Sequence, residues 1–134
     1  MKKVAGLWID HRKAVIVIIT DENEVIRLII SKLEKQLGRS GGLRSTTSFE
    51  SQRVPADDSR ERKFSGLLKI YYDAVIACIH DTEAILIFGP GEAKGELKDH
   101  LEKHHLGERI VAVETVDKMT DRQIAAKVRQ RFLT

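Results

Sequence analysis

The fold is decided by the stretch Ile85-Leu86-Ile87-Phe88-Gly89-Pro90-Gly91-Glu92-Ala93-Lys94-Gly95-Glu96-Leu97-Lys98-Asp99-His100-Leu101. It begins as a short, uncharged apolar run, which is typical of a strand buried on both faces. The run breaks at Gly-Pro-Gly and then takes a helical period. A buried strand, a tight turn and a helix form half of a βαβ unit, so this stretch predicts an α/β protein. Turns of this kind are also where α/β proteins place ligands, because the helix N-terminus offers free N–H groups.

Length and composition predict one domain, spanning 1–134, with a core of its own. The formal net charge of +3 makes the chain mildly basic, which suits an anionic partner. The single cysteine, Cys78, excludes an internal disulfide framework and indicates a cytoplasmic protein. No apolar run approaches the ~20 residues of a membrane span, so we expect no membrane partner.

Periodicity predicts eight elements along the chain. Strand-like runs at 4–9, 14–19 and 25–30 are joined by short polar turns, which predict an antiparallel meander. A long helix is expected from about residue 57, and a second helix at 92–104. The residues of the long helix that we expect in the core are spaced three and four apart: Phe64, Leu67, Leu68, Tyr71, Val75, Cys78 and Ile79. Strands are expected at 84–88 and 110–113, and a last helix opens with the capping box Thr120-Asp121-Arg122-Gln123.

The resulting order, β-β-β-α-β-α-β-α, predicts a ribonuclease H-like α/β fold. A meander followed by two right-handed βα crossovers gives a mixed five-stranded sheet with helices on both faces. The first strand is expected at the centre of that sheet.

A different composition separates the third strand from the long helix. The loop at about 36–56 has neither helical nor strand period, and it is rich in Gly and Ser. Its basic residues outnumber its acidic ones. Long loops without regular structure are either functional or simply mobile, and composition alone leaves both readings open.

Metal chemistry has two candidate positions. Asp10 ends the first strand, where ribonuclease H-like nucleases carry a metal-binding carboxylate, so a metal-dependent nuclease using Asp10 is one alternative function. The end of the fourth strand, Phe88-Gly89-Pro90, offers no second acid, and Asp10 also suits a turn in which its side chain accepts backbone N–H bonds. His100 and His104 lie one helical turn apart, but no third ligand is evident. We therefore expect no metal, no cofactor and no catalytic residue.

The Gly89-Pro90-Gly91 turn is a weak candidate for binding phosphate. It lacks the glycine patterns of nucleotide-binding loops, and Pro90 removes one N–H donor. Glu92 adds negative charge at the mouth of the turn and suits the helix dipole better than it suits an anion. We therefore expect this turn to have a structural role.

Two segments together resemble a known family. The stretch 85–101, with its Gly-Pro-Gly-Glu-Ala-Lys turn, resembles the strand and helix of the middle domain of archaeal and eukaryotic class I peptide-release factors, a domain shared by the Pelota family. In release factors a basic loop between the third strand and the long helix carries Gly-Gly-Gln. Here Gly38-Arg39-Ser40-Gly41-Gly42-Leu43-Arg44-Ser45 falls in that place. The whole chain is similar to the small bacterial proteins grouped as translational machinery components, which consist of this domain alone.

The resemblance implies a translation-related domain whose partner is the ribosome or structured RNA. Its expected RNA-binding residues lie in the loop: Arg39, Gly41, Gly42, Arg44 and Arg53. Arginines among Gly and Ser can follow a phosphate backbone. Release factors use the Gln to position water at the peptidyl-tRNA ester, whereas Leu43 cannot coordinate water, so a non-enzymatic domain is expected. A protein–protein interaction adaptor, including a homo-oligomer, is a further alternative.

Overall fold

The computed structural model describes residues 3–31 and 56–133. Its elements follow the predicted order of three strands, then helix, strand, helix, strand and helix. Their bounds are β1 Lys3–Ile9, β2 Lys13–Thr20, β3 Glu24–Ile30, α1 Ala56–Ile79, β4 Ala84–Gly89, α2 Ala93–Lys103, β5 Ile110–Thr115 and α3 Asp121–Leu133, with a single 3₁₀ turn at Gly107–Arg109 before β5.

The five strands form one mixed sheet in the order β3-β2-β1-β4-β5. β1 lies at the centre, antiparallel to β2 and parallel to β4. β2 and β3 are antiparallel, and β4 and β5 are parallel. The predicted mixed sheet with a central first strand is therefore confirmed.

Apolar side chains cover both faces of the central strands, as the uncharged runs predict. On one face, Leu7 and Ile16 pack with α1 and α2. On the other face, Trp8 and Phe88 pack with Val128 of α3. Strands buried on two sides need apolar residues at every position, which explains why β1, β2 and β4 show no alternation.

The buried face of α1 is wider than the predicted stripe. Tyr72 and Ile76 are buried together with the expected Tyr71, Val75 and Ile79. The reason is that this helix packs on the sheet and also against α2, whose apolar residues join the same cluster. Cys78, expected in the core, is only half-buried and packs at the margin of that cluster.

The last helix begins with the predicted capping box. The Thr120 N–H donates to Gln123 Oε1 at 2.9 Å, and the Gln123 N–H donates to Thr120 Oγ1 at 3.1 Å. Two N–H groups at the start of α3 are thereby satisfied reciprocally. Within the described residues, no helix combines the length and apolar character that crossing a bilayer requires.

Candidate functional site at the carboxyl edge of the sheet

Four strands end at the same edge of the sheet. β1, β4 and β5 are mutually parallel, and β3 also runs parallel to β1 because both are antiparallel to β2. This carboxyl edge is where open α/β sheets hold their ligands. β3, which precedes the predicted basic loop in the chain, ends at this edge.

The RNA-binding residues predicted from the sequence cannot be placed. Arg39, Gly41, Gly42, Arg44 and Arg53, and also Leu43, lie outside the described residues. Their role stays a prediction. The point at which their segment begins is described, because the Ser31 N–H donates to the carbonyl oxygen of Arg12 at 2.9 Å. Ser31, the last described residue before that segment, therefore lies directly beside the turn between β1 and β2.

That turn is organised by Asp10. Its Oδ1 atom accepts hydrogen bonds from the N–H groups of Arg12 at 2.8 Å and Lys13 at 2.9 Å. The Asp10 N–H donates to the carbonyl oxygen of Lys13 at 3.0 Å. The turn role predicted for Asp10 is thus confirmed. Within residues 3–31 and 56–133, no three His, Cys, Asp or Glu side chains are grouped so that they could hold a metal ion.

An open, basic pocket of about 460 Å³ lies beside this turn. It is lined by Trp8, Asp10, Arg12, Lys13, Pro90 and Lys118. Three of these residues are cationic, and the single carboxylate already accepts two backbone N–H bonds. The pocket therefore presents net positive charge at the carboxyl edge, which favours an anionic group such as a phosphate.

Trp8 lines this pocket and is held in place by a hydrogen bond of its indole N–H. Its indole Nε1–H donates to the carbonyl oxygen of Asp117 at 3.1 Å, and the residue is only 2% exposed. The Lys13 ammonium lies 5.8 Å from the centre of the Trp8 ring, within the range of a cation–π contact. The bond to Asp117 also fixes the chain just before Lys118. A core residue thus positions cations from two distant parts of the sequence.

The Gly89-Pro90-Gly91 turn has the structural role that its charges predict. A Cβ atom on Gly89 would lie 2.1 Å from the carbonyl oxygen of Ile9, so the close approach of β4 to β1 requires glycine there. The Lys94 ammonium donates back to the Gly91 carbonyl oxygen. The Lys94 side chain therefore packs back against the Gly-Pro-Gly turn that precedes its helix.

A second polar cluster joins α1, α2 and the first turn. Glu96 Oε1 accepts from the Tyr72 hydroxyl at 2.6 Å and lies 3.0 Å from His11 Nε2. Burial, followed by the hydrogen bond to Glu96, raises the pKa of Tyr72, so its hydroxyl remains a donor. The His100 ring packs against Tyr72 with 5.1 Å between ring centres. Burial, with the nearby Lys103 charge, lowers the pKa of His100.

The two histidines considered for metal binding have separate contacts. His100 lies on the Tyr72 ring, whereas His104 Nε2 lies 3.8 Å from an Asp73 carboxylate oxygen. The helical spacing that suggested a shared metal therefore corresponds to two different sets of contacts. We assign this cluster to packing between α1 and α2.

Comparison with known proteins identifies solved structures that share this fold. A scan against protein-family models gives no match, and neither does a search of the curated proteins. Among solved structures, the chain is similar to Archaeoglobus fulgidus Pelota, at 14% identity and a TM-score of 0.55. It is equally similar to an archaeal translation termination factor, at 10% identity and a TM-score of 0.55.

The chain has the fold of these two factors. Both matches cover 98% of this chain, and they cover 32% of the Pelota chain and 39% of the termination factor. The present chain therefore spans about a third of the length of the proteins it matches. The expected likeness to the Pelota and release-factor domain is confirmed at the level of fold, and with it the ribonuclease H-like class.

The cationic pocket was not foreseen from the sequence. Lys13 and Lys118 are separated by most of the chain, and neither belongs to a recognisable motif. The sequence held one signal for their proximity. Lys13 lies between the first two predicted strands, and Lys118 comes after the last one. The parallel strands of such a sheet end at the same edge. Trp8 is buried in the core and also lines the pocket.

Proposed function

We propose that this protein is a translation-related, non-enzymatic domain that binds the ribosome or structured RNA through a basic edge. The shared fold supports the translation context, since one of the similar proteins is a termination factor. In this proposal the basic Gly-rich loop contacts RNA phosphates through Arg39, Gly41, Gly42, Arg44 and Arg53. The protein then works in the cytoplasm, where ribosomes are found.

One observation carries the proposal: Ser31, which precedes the basic loop in the chain, lies at the edge that holds the basic pocket. The Ser31 N–H is bonded to Arg12, whose side chain lines that pocket together with those of Lys13 and Lys118. A phosphate backbone that contacts the loop can therefore continue over the pocket. Contacts of this kind position RNA and carry little sequence information, so we expect binding that depends strongly on salt.

Co-sedimentation with ribosomes at low and moderate salt tests the proposal. The variant Arg39→Ala/Arg44→Ala/Arg53→Ala should lose binding, and the slope of log affinity against log salt should fall by about 2–3 if each arginine contacts one phosphate. The matched control is Lys103→Ala/Arg122→Ala/Arg131→Ala, which removes the same charge from exposed positions on α2 and α3. Equal losses in the two triple variants would reduce the effect to net charge and contradict the proposal.

The contribution of the pocket can be measured separately. Lys13→Ala/Lys118→Ala leaves the loop intact and removes two cations from the pocket. We expect weaker binding to RNA at every salt concentration and a slope that is smaller by about 1–2. Unchanged binding would restrict the RNA contact to the loop.

The absence of catalysis is tied to one position. Leu43 stands where release factors carry the Gln that positions water, so purified protein should not hydrolyse peptidyl-tRNA on the ribosome. The assay should include Leu43→Gln, which restores the side chain. Hydrolysis by the unmodified protein would refute the non-enzymatic assignment.

A further inference from the structure

Apolar side chains are concentrated along β3, at one end of the sheet. Among the described residues, seven large hydrophobic side chains are exposed, and five of them lie on β3 or on the neighbouring part of α1. They are Val25 at 40% exposure, Ile26 at 46%, Leu28 at 56%, Ile30 at 59% and Ile70 at 67%. An edge strand with this composition is a pairing surface unless charge or proline blocks it.

Part of the β3 backbone has its hydrogen-bonding groups pointing away from β2. The N–H of Thr20 donates to Asn23, and the N–H of Ser31 donates to Arg12, so these two opposed pairs are hydrogen-bonded pairs. Because such pairs alternate along an antiparallel ladder, the N–H and C=O groups of Ile26, Leu28 and Ile30 point away from β2. They point to the open side of the described sheet.

The same three residues share one face. Leu28 is opposite Val15, and Ile26 is opposite Val17. Both valines belong to the cluster beneath α3. Their partners on β3 lie farther out and remain exposed. On the other face, an apolar groove of about 330 Å³ lies between β3 and α1, and its lining includes Ile29, Leu67, Ile70, Tyr71 and Ala74.

We propose that β3 pairs with β3 of a second copy of this chain, antiparallel and about a two-fold axis, to form a continuous ten-stranded sheet. The axis passes beside Leu28, so that Leu28 is opposite its own mate and Ile26 is opposite Ile30. These pairs use the outward backbone groups of all three residues, which gives six hydrogen bonds. On the α3 face, Ile26, Leu28 and Ile30 of each copy are then opposite apolar side chains of the other copy.

Charge selects this register over its neighbour. Shifting the axis to Arg27 would place two arginines directly opposite each other, which is destabilising. With the axis at Leu28, Arg27 is opposite the half-buried Ile29 instead. Glu24 lies beyond the paired segment, where it keeps its ion pair with Arg129 at 2.7 Å.

The distribution of apolar surface favours a second copy over an extended peptide. A single added strand would cover the edge of β3 but leave Ile70 on α1 exposed. A second copy brings its own α1 beside the axis, so that apolar surface meets apolar surface on both faces, as an isologous interface requires. Counting a fully exposed Ile or Leu as about 180 Å², the five side chains offer roughly 450 Å² per copy, within the range of large functional patches. Counted on both copies this is roughly 900 Å², the size of a weak, concentration-dependent interface.

Sedimentation velocity of the full chain, from about 1 to 200 µM, tests the proposal, since a small interface implies a concentration-dependent dimer. We expect Leu28→Lys to weaken the dimer at least tenfold, because the substitution acts twice at the axis. The matched control is Val111→Lys, on the opposite edge strand β5, where the side chain is 42% exposed. It should leave the dimer unchanged. A monomer at every concentration, or equal effects of both variants, would overturn the proposal.

Disulfide trapping tests the register without disrupting the interface. In a Cys78→Ala background, Leu28→Cys should cross-link between copies under mild oxidation, since opposed hydrogen-bonded residues have Cα atoms about 5.5 Å apart, which suits a disulfide. Arg27→Cys should cross-link far less, because its mate is on a diagonal. The reverse pattern, or no cross-link at either position, would overturn the proposed pairing. Unchanged thermal melting of each variant shows that folding is retained.

Discussion

The Tyr71 hydroxyl donates a hydrogen bond to the main-chain carbonyl oxygen of Asp10 at 2.8 Å, which joins α1 to the end of β1. Burial, followed by the charge of Asp10, raises the pKa of Tyr71, so the hydroxyl stays protonated and remains a donor at physiological pH. The same Asp10 organises the basic turn through its side chain. Asp10 therefore fixes the position of α1 relative to the basic turn between β1 and β2.

Removing this hydroxyl should destabilise the fold. In Tyr71→Phe, the ring stays in the core, but the Asp10 carbonyl loses its donor in a part-buried position. We expect a loss of about 1–2 kcal/mol in the free energy of unfolding. Urea denaturation followed by circular dichroism measures it, and an unchanged midpoint would show that water replaces the hydroxyl at no cost.

Gly89 and Gly91, at the end of β4, should differ sharply in how well they tolerate substitution by alanine. Gly89→Ala places a Cβ 2.1 Å from the Ile9 carbonyl oxygen, so the two central parallel strands must separate. We expect a loss of about 2–4 kcal/mol. Gly91→Ala is the matched control, because nothing lies within 4 Å of its added methyl group. Similar midpoints of unfolding for the two variants would disprove the close-approach explanation.

The capping box of α3 should contribute measurably to stability. Thr120→Ala removes the Oγ1 acceptor of the Gln123 N–H and should cost about 1 kcal/mol. Thr120→Ser keeps the hydroxyl and should lie within about 0.3 kcal/mol of the unmodified protein. Thermal or urea unfolding of both variants gives the comparison. A loss shared by Thr120→Ser would assign the effect to the methyl group.

Stability should decrease in mild acid because of His100. Burial lowers the pKa of His100 in the folded state from its ordinary 6.5. The unfolded chain therefore binds this proton more readily, so the contribution of neutral His100 is full above pH 6.5 and is lost as pH falls through the folded pKa. His100→Gln, which does not titrate, should show a smaller loss of stability between about pH 7.5 and 5.5. Equal losses in both proteins would assign the pH dependence to other groups.

Local patterns predicted most of the helices and strands and two local hydrogen-bond networks in detail. The reciprocal bonds of Thr120 and Gln123, and the backbone bonds of Asp10, involve residues at most three apart. Such contacts depend on local geometry, which short motifs specify. Tyr72 and Ile76 were missed because their burial depends on α2, a partner that helical periodicity does not reveal.

The candidate site was predictable only in part. The basic composition of the loop was evident, whereas the pocket beside it is assembled from Lys13 and Lys118. These residues meet because β1 and β5 end at one edge, with Trp8 bonded to Asp117 between them. The glycine requirement at Gly89 likewise arises from its distance to Ile9 and not from an unusual backbone angle, since no described glycine has a positive φ.

The sequence by itself determined the order of strands and helices, the apolar character of the central strands and the structural role of the Gly-Pro-Gly turn. These properties depend on hydrophobic period and on contacts between near neighbours in the chain. Only the tertiary structure decided which charges share the carboxyl edge and that the apolar residues of β3 remain exposed beside α1. Strand order and helix placement govern those features, because they bring together residues whose separation in sequence carries no local signal.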